Sequence, residues 1–173
     1  MATPSTSTTL KRIRTVNAVL CVLGILISCY AYRVETRKEH DRSYQAMCDI
    51  NQHMSCSRVF TSRYGRGFGL LGHIVGSNSV YNQPNSVFGV LFYLSVLVFG
   101  ALDGRILAKL HLVLSVISNI GSVYLACILY FVLHDFCVVC VTTYVINALL
   151  LTCSVLRLKH DSAPPAKGKN AAK

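Results

Sequence analysis

Four apolar runs organise the chain, at residues 13–32, 87–102, 106–133 and 136–156. A hydrocarbon core of about 30 Å is crossed by roughly 20 helical residues, so each run is read as a membrane span. The second is short and begins near Asn85, whereas the third exceeds one crossing. That excess predicts a tilted helix with its Lys109 and His111 end at an interface. The expected fold is all-α: an integral membrane four-helix transmembrane bundle, residues 13–156, with a large lumenal loop at 33–84 between the first and second helices. Residues 1–12 and 157–173 are rich in Ser, Thr, Pro, Lys and Ala and are expected to be disordered cytoplasmic tails.

Composition agrees with the pattern. Hydrophobic residues make up 53% and charged residues 14%, and mean hydropathy is +0.48. Soluble domains are about a quarter charged. A formal charge of +10 would suggest nucleic acid in a soluble chain, but here its placement orients a bundle in a bilayer, and no nucleic-acid partner is expected. Lys11, Arg12, Arg14, Arg105, Lys109, Arg157, Lys159, Lys167, Lys169 and Lys173 all fall on one side, opposed by Asp103 and Asp161. By the positive-inside rule that side is cytoplasmic, both termini included. The loop carries 7 basic and 4 acidic residues, yet long loops translocate with little regard to charge. KRIR before the first span resembles a signal-peptide n-region, but the apolar run behind it is long enough to span.

Within the loop, GRGFGLLGHIVG (65–76) is too short to cross and reads as a segment in the membrane interface or over the bundle mouth. Pro84 forces Gln83 out of helical conformation, so Asn85 or Ser86 is expected to cap the second span. Asn119 inside the third span reads as a hydrogen-bonding link between helices.

Eight cysteines separate by position. Cys21, Cys29, Cys127 and Cys153 sit singly in apolar spans and read as small buried hydrophobes. Cys48 and Cys56, in CDINQHMSC, lie in the loop, and Cys137 and Cys140 form CVVC at the start of the fourth span. Those four sulfurs face a compartment where disulfides persist. Two structural disulfides, a zinc site assisted by His53 or His134, and a redox relay are all open to them. The relay is favoured. Residues three apart share a helical face, and a helix N-terminus favours the attacking thiolate. Cys140 also sits about 4.5 Å deeper than Cys137, and a second pair on a loop can exchange with soluble thiols. Tyr144, one turn past Cys140, is then a candidate donor to a carbonyl or epoxide oxygen. Asn85 is a candidate ligand for the other oxygen.

CDINQHMSCSRVFTSRYGRGFGLLG, NQPNSVFGVLFY and FCVVCVTTYVIN together resemble the vitamin K epoxide reductase family, and most closely its vertebrate reductase-like paralogue. The resemblance covers roughly residues 13–156. It implies an endoplasmic reticulum enzyme that reduces vitamin K 2,3-epoxide to the quinone and the quinone to the hydroquinone. Cys137 and Cys140 would be the active pair, and Cys48 and Cys56 the relay recharged by lumenal thioredoxin-like oxidoreductases. Cys56 would bridge transiently to Cys137. Asn85 and Tyr144 would hold the quinone oxygens, with Phe60, Phe88, Leu129, Leu133 and Val139 lining the pocket and Asp49 helping the loop close. Coumarin inhibitors such as warfarin would occupy the pocket. No bound cofactor or metal is expected, vitamin K being substrate. Where many members carry Trp, this chain has Tyr64. Two other readings are a quinone-linked generator of disulfides and, remotely, a four-span adhesion protein.

Overall fold

The computed structural model describes residues 4–51, 54–74, 76 and 79–162. In chain order these form α1 (Pro4–His40), α2 (Cys56–Phe60), a 3₁₀ turn (Gly67–Gly69), α3 (Leu71–Ile74), α4 (Asn85–Ala101), α5 (Arg105–Ile128) with a π-helical turn (Leu129–Leu133), and α6 (Val138–Ser162). No strand occurs among the described residues; two isolated bridges join Asn51 to Met54 and Arg66 to Pro84. The fold is all-helical.

Helix α1 packs on α4 and α6, and α5 packs on the same two, so the four long helices close a ring. Ile13, Leu20 and Cys21 of α1, Tyr93 and Val96 of α4, and Ile146, Leu150 and Cys153 of α6 fill its centre. The outer faces are also apolar: Leu26, Ile117, Ile120 and Val123 are exposed, as a helix requires when its surroundings are lipid rather than water. Thr8–His40, Arg105–Leu133 and Val138–His160 are long and apolar enough to cross a membrane. Helix α4 has 17 residues and is shorter.

One set of polar groups inside the ring forms a network, since an unpaired donor in an apolar interior costs several kcal/mol. Tyr93 donates its hydroxyl to Asn147 Oδ1 at 3.0 Å, and Asn147 Nδ2 donates to Ser122 Oγ at 2.9 Å. Asn119 Nδ2 reaches the Asn147 carbonyl at 2.9 Å, so it links α5 to α6 as expected.

Several local expectations change. Helix α1 begins at Pro4 and α6 runs to Ser162, so helix extends into both segments read as tails. Residues 163–173 lie outside the described residues, as does His53. The 33–84 loop is partly helical, since α1 continues to His40. His111 is packed inside the bundle, 1% exposed. Cys21 and Cys153 are buried, but Cys29 and Cys127 face outward because the helical period turns them away from the ring. Arg157 is buried too; its guanidinium donates to the carbonyl of Phe99 near the end of α4, a use that a charge count does not register.

Candidate active site

The segment between α1 and α4 folds over one end of the ring, and a few side chains hold it there. Asp49 is one hub. Its Oδ2 accepts from the Ala46 amide at 2.9 Å and Ser57 Oγ at 2.6 Å, and its Oδ1 from the Ser57 amide and Ser55 Oγ, both at 3.0 Å. Burial works to raise this carboxyl's pKa, but the donors outweigh it and hold it below the usual range. The turn carrying Cys48 is thereby fastened to the start of α2, where Ser55 caps the helix by accepting from the Arg58 amide.

Asn85 is the second hub. The structure places it just inside α4 with Pro84 at the cap position, and neither Asn85 nor Ser86 caps the helix. Asn85 Oδ1 accepts from the Phe68 amide at 2.8 Å, and Nδ2 donates to the Tyr64 carbonyl at 2.7 Å. Its own amide donates to the Gly65 carbonyl at 2.8 Å. The loop amide and carbonyl it satisfies would otherwise be stranded over an apolar mouth, so they take the side chain that would have capped α4. The glycine-rich segment therefore lies across the bundle mouth. Phe68 sits there at φ 57°, a left-handed conformation strained for a bulky residue. Tyr124 donating to its carbonyl at 3.2 Å and the Phe88 ring at 5.4 Å hold it in place.

Ion pairs at two arginines, which sequence reasoning missed, complete the attachment. Arg58 Nη1 meets Asp135 Oδ2 at 3.2 Å, tying α2 to the turn that carries Cys137. Arg66 Nε meets Glu35 at 3.2 Å and its Nη2 meets Glu39 at 2.7 Å, tying the loop to the end of α1. Asp135 lies in an apolar stretch, and a lone carboxylate there is a signal that could have found the first pair. The second pair joins residues of one mixed-charge loop and leaves no comparable trace.

Under this cap the four sulfurs come together. Cys56 and Cys137 are fully buried and pack in one cluster with Leu129, flanked by Cys48 and Cys140. The thiols interact in series, Cys48 with Cys56, Cys56 with Cys137 and Cys137 with Cys140. Cys137 immediately precedes α6, and its sulfur accepts from the Cys140 amide at 3.3 Å, the position an N-cap side chain takes. The hydrogen bond with Cys140, followed by burial, pushes the Cys137 thiol well above its ordinary range. Cys56 is raised as well, first by its hydrogen bond with Cys137 and then by burial. Burial, followed by Cys56, pushes Cys48 up to about 12. Neighbouring thiols and burial thus favour the protonated form at all three sulfurs.

Beside the sulfurs a cavity of about 610 Å³ opens between the cap and the ring. Cys140, Tyr144, Asn85, Phe60, Phe88, Leu129, Leu133 and Val139 all line it. Cys137, Cys56 and Cys48 do not, so Cys140 is the sulfur of the series at the cavity wall. The π-helical turn, of a kind frequent at functional sites, carries Leu129 and Leu133. Tyr64, Phe68, Tyr124 and Glu35, which sequence reasoning did not assign to the pocket, line it too. Among the described residues no group of three His, Cys, Asp or Glu is placed to hold a metal. The cavity is suited to an apolar molecule that would meet the Cys140 sulfur at its wall.

A family model described as the vitamin K epoxide reductase family matches residues 15–155. The chain belongs to the vitamin K epoxide reductase family. The mouse protein named vitamin K epoxide reductase complex subunit 1 is 51% identical over 139 residues, covering 80% of this chain and 86% of its own length. Its rat counterpart is 47% identical over 147 residues, covering 84% and 91%. The matched region runs from within α1 to within α6 and contains every residue placed in the site above.

Proposed function

We propose that this chain is an endoplasmic reticulum membrane oxidoreductase that reduces vitamin K 2,3-epoxide to the quinone and the quinone to the hydroquinone. The observation that carries the reading is the sulfur series ending at Cys140 on the wall of an apolar cavity that Tyr144 and Asn85 also line. The bundle spans the bilayer four times with both termini cytoplasmic and the cap lumenal. Cys140 attacks the bound substrate, Tyr144 helps deliver a proton to its oxygen, and Cys137 resolves the adduct. Two thiols become one disulfide in each half. The epoxide yields quinone and water, and the quinone takes up two electrons and two protons. Asn85, whose amide already spans Tyr64 and Phe68, has one further N–H for the second substrate oxygen.

Recharging runs the other way along the series. Cys56 attacks Cys137 and releases Cys140, Cys48 then closes on Cys56, and a lumenal thioredoxin-like protein reduces the Cys48–Cys56 disulfide. No flavin or metal enters this chemistry, and coumarin inhibitors compete for the cavity.

The test is turnover of vitamin K epoxide by the purified chain in lipid, driven by dithiothreitol, with Cys137→Ser and Cys140→Ser alongside. Both variants are expected to lose conversion while still binding quinone. Retained conversion in either would overturn the assignment of the active pair.

A further inference from the structure

The sulfur series does not end at Cys48. Tyr30, on α1, places its hydroxyl 3.6 Å from Cys48 Sγ and donates to it. No spacing in the sequence relates these residues, because Tyr30 lies in the first apolar run and Cys48 in the loop 18 residues on. The fold fixes their approach from both sides. Lys38 Nζ donates to the Tyr44 carbonyl at 2.7 Å and holds the chain that returns from α1 to Cys48. Asp49 fastens the next residue to α2. Both Tyr30 and Cys48 are half-buried, so the contact is only partly screened by solvent.

We propose that Tyr30 is a positioning residue for the loop pair, its O–H stabilising Cys48 as the thiolate that resolves the bond between Cys56 and Cys137. The assignment rests on the relay described above. In that step the Cys48 sulfur attacks Cys56 Sγ, a Cys48–Cys56 bond forms, and the Cys56–Cys137 bond breaks with its electron pair going to Cys137. Cys48 is oxidised and Cys137 reduced. The proton that Cys48 gives up is balanced by the one Cys137 takes, leaving a neutral thiol. The step needs a thiolate at a sulfur whose surroundings disfavour one. Burial acts against it first, Cys56 facing from α2 and Asp49 from the same loop add to that, and Tyr30 from α1 is the neighbour that opposes them. Tyr44 faces Tyr30 in turn. A phenol is well matched to this task, since it donates to the thiolate yet keeps its own proton near neutrality.

Alkylation of Cys48 by iodoacetamide in the reduced, lipid-embedded full-length chain, followed by peptide mass spectrometry from pH 6 to 10, reads the thiolate directly. Tyr30→Phe is expected to move the Cys48 profile up by about one pH unit, roughly tenfold less thiolate at a given pH. Tyr81→Phe, an exposed phenol in the loop, should leave the profile in place. During turnover driven by reduced thioredoxin, acid trapping of Tyr30→Phe should show more Cys56–Cys137 mixed disulfide than wild type. Its thioredoxin-driven rate should fall by a larger factor than its dithiothreitol-driven rate. An unchanged Cys48 profile with unchanged mixed disulfide overturns the role of Tyr30 while leaving the active pair intact. Turnover that survives Cys137→Ser and Cys140→Ser overturns the relay, and the Tyr30 assignment with it.

Discussion

The two ends of the bundle use polar groups for different purposes. At the far end, Arg14 pairs with an exposed Asp103 and the buried Arg157 closes carbonyls at the end of α4, so charge there terminates helices that a central apolar cluster already packs together. At the cap end there is little apolar packing to spare: Met47, Ile50, Leu70 and Ile74 are exposed, and the segment is held by Asp49, Asn85 and two ion pairs. A structure held by packing spreads its stability over many contacts and loses little with any one of them. One held by a few hydrogen-bond hubs depends on each hub. The candidate site lies on the second kind of structure, which suits the exchange with outside partners proposed for the loop pair.

The sharpest way to break this contrast is Gly65→Ala. A Cβ at Gly65 would fall 1.9 Å from the Phe60 carbonyl oxygen and 2.7 Å from its carbon, and that obstacle is backbone. The Gly65 carbonyl also receives the Asn85 amide, so the loop cannot retreat without giving up its second hub. We expect a loss of about 3 kcal/mol, the upper end for overpacking, confined to the cap. Hydrogen exchange should accelerate at residues 60–70 while the central turns of α5 and α6 keep their protection. Uniform acceleration through the ring would show that cap and bundle are one cooperative unit.

Asp49→Asn should come next, at about 2 kcal/mol, because an amide nitrogen cannot accept where a carboxylate oxygen does. The variant should raise alkylation of both Cys48 and Cys56. The pH sign follows from the lowered folded pKa of Asp49. Its contribution is present above the unfolded value of about 3.9 and is lost as pH falls through the lower folded value. Between pH 5 and 8 cap protection should therefore be independent of this group. A midpoint near neutrality in cap exchange would assign the hold to something else. Arg58→Met should cost about as much, roughly 2 kcal/mol: the half-solvated guanidinium discounts the pair itself, but the Asp135 carboxylate it leaves behind is 2% exposed. Its effect should appear as faster exchange at the turn before Cys137 rather than in global unfolding.

The sequence was informative in proportion to how local each determinant is. The apolar runs locate all four long helices, and the ends of α4 and the start of α5 to within two residues, because the helical period and the absence of interior proline act along the chain; α1 and the end of α6 extend further into polar sequence. Cys137 and Cys140 were recognisable as a pair for the same reason. The cap was legible in its glycine-rich segment and through family resemblance, but its joints were not: Arg58 with Asp135, Arg66 with Glu35 and Tyr30 with Cys48 are separated by 77, 31 and 18 residues. Asn85 shows why a rule can fail next to a correct one. Pro84 does start the helix where expected, but the stranded Phe68 amide and Tyr64 carbonyl bind the side chain that the capping rule assigned to α4. The raised Cys137 thiol was equally illegible, because neighbouring thiols and burial are properties of the assembled cap.

Gly100→Ala is the matching test at the far end and should have the smallest effect. Its Cβ would meet Asn17 Nδ2 at 2.2 Å, nominally almost as severe a clash as at Gly65. The obstacle here is the end of a side chain, whose current partner is the Cys21 sulfur at 3.9 Å, a weak interaction. Rotation of the amide gives up little, and alanine in place of glycine inside a helix returns roughly 0.5–1 kcal/mol of backbone entropy. The net change should lie within about 1 kcal/mol of zero in thermal unfolding of the lipid-embedded chain, with Cys48 alkylation unaffected. A loss as large as that of Gly65→Ala would mean that the α1–α4 seam is as intolerant as the cap, and that the difference between the two ends lies in solvent exposure alone.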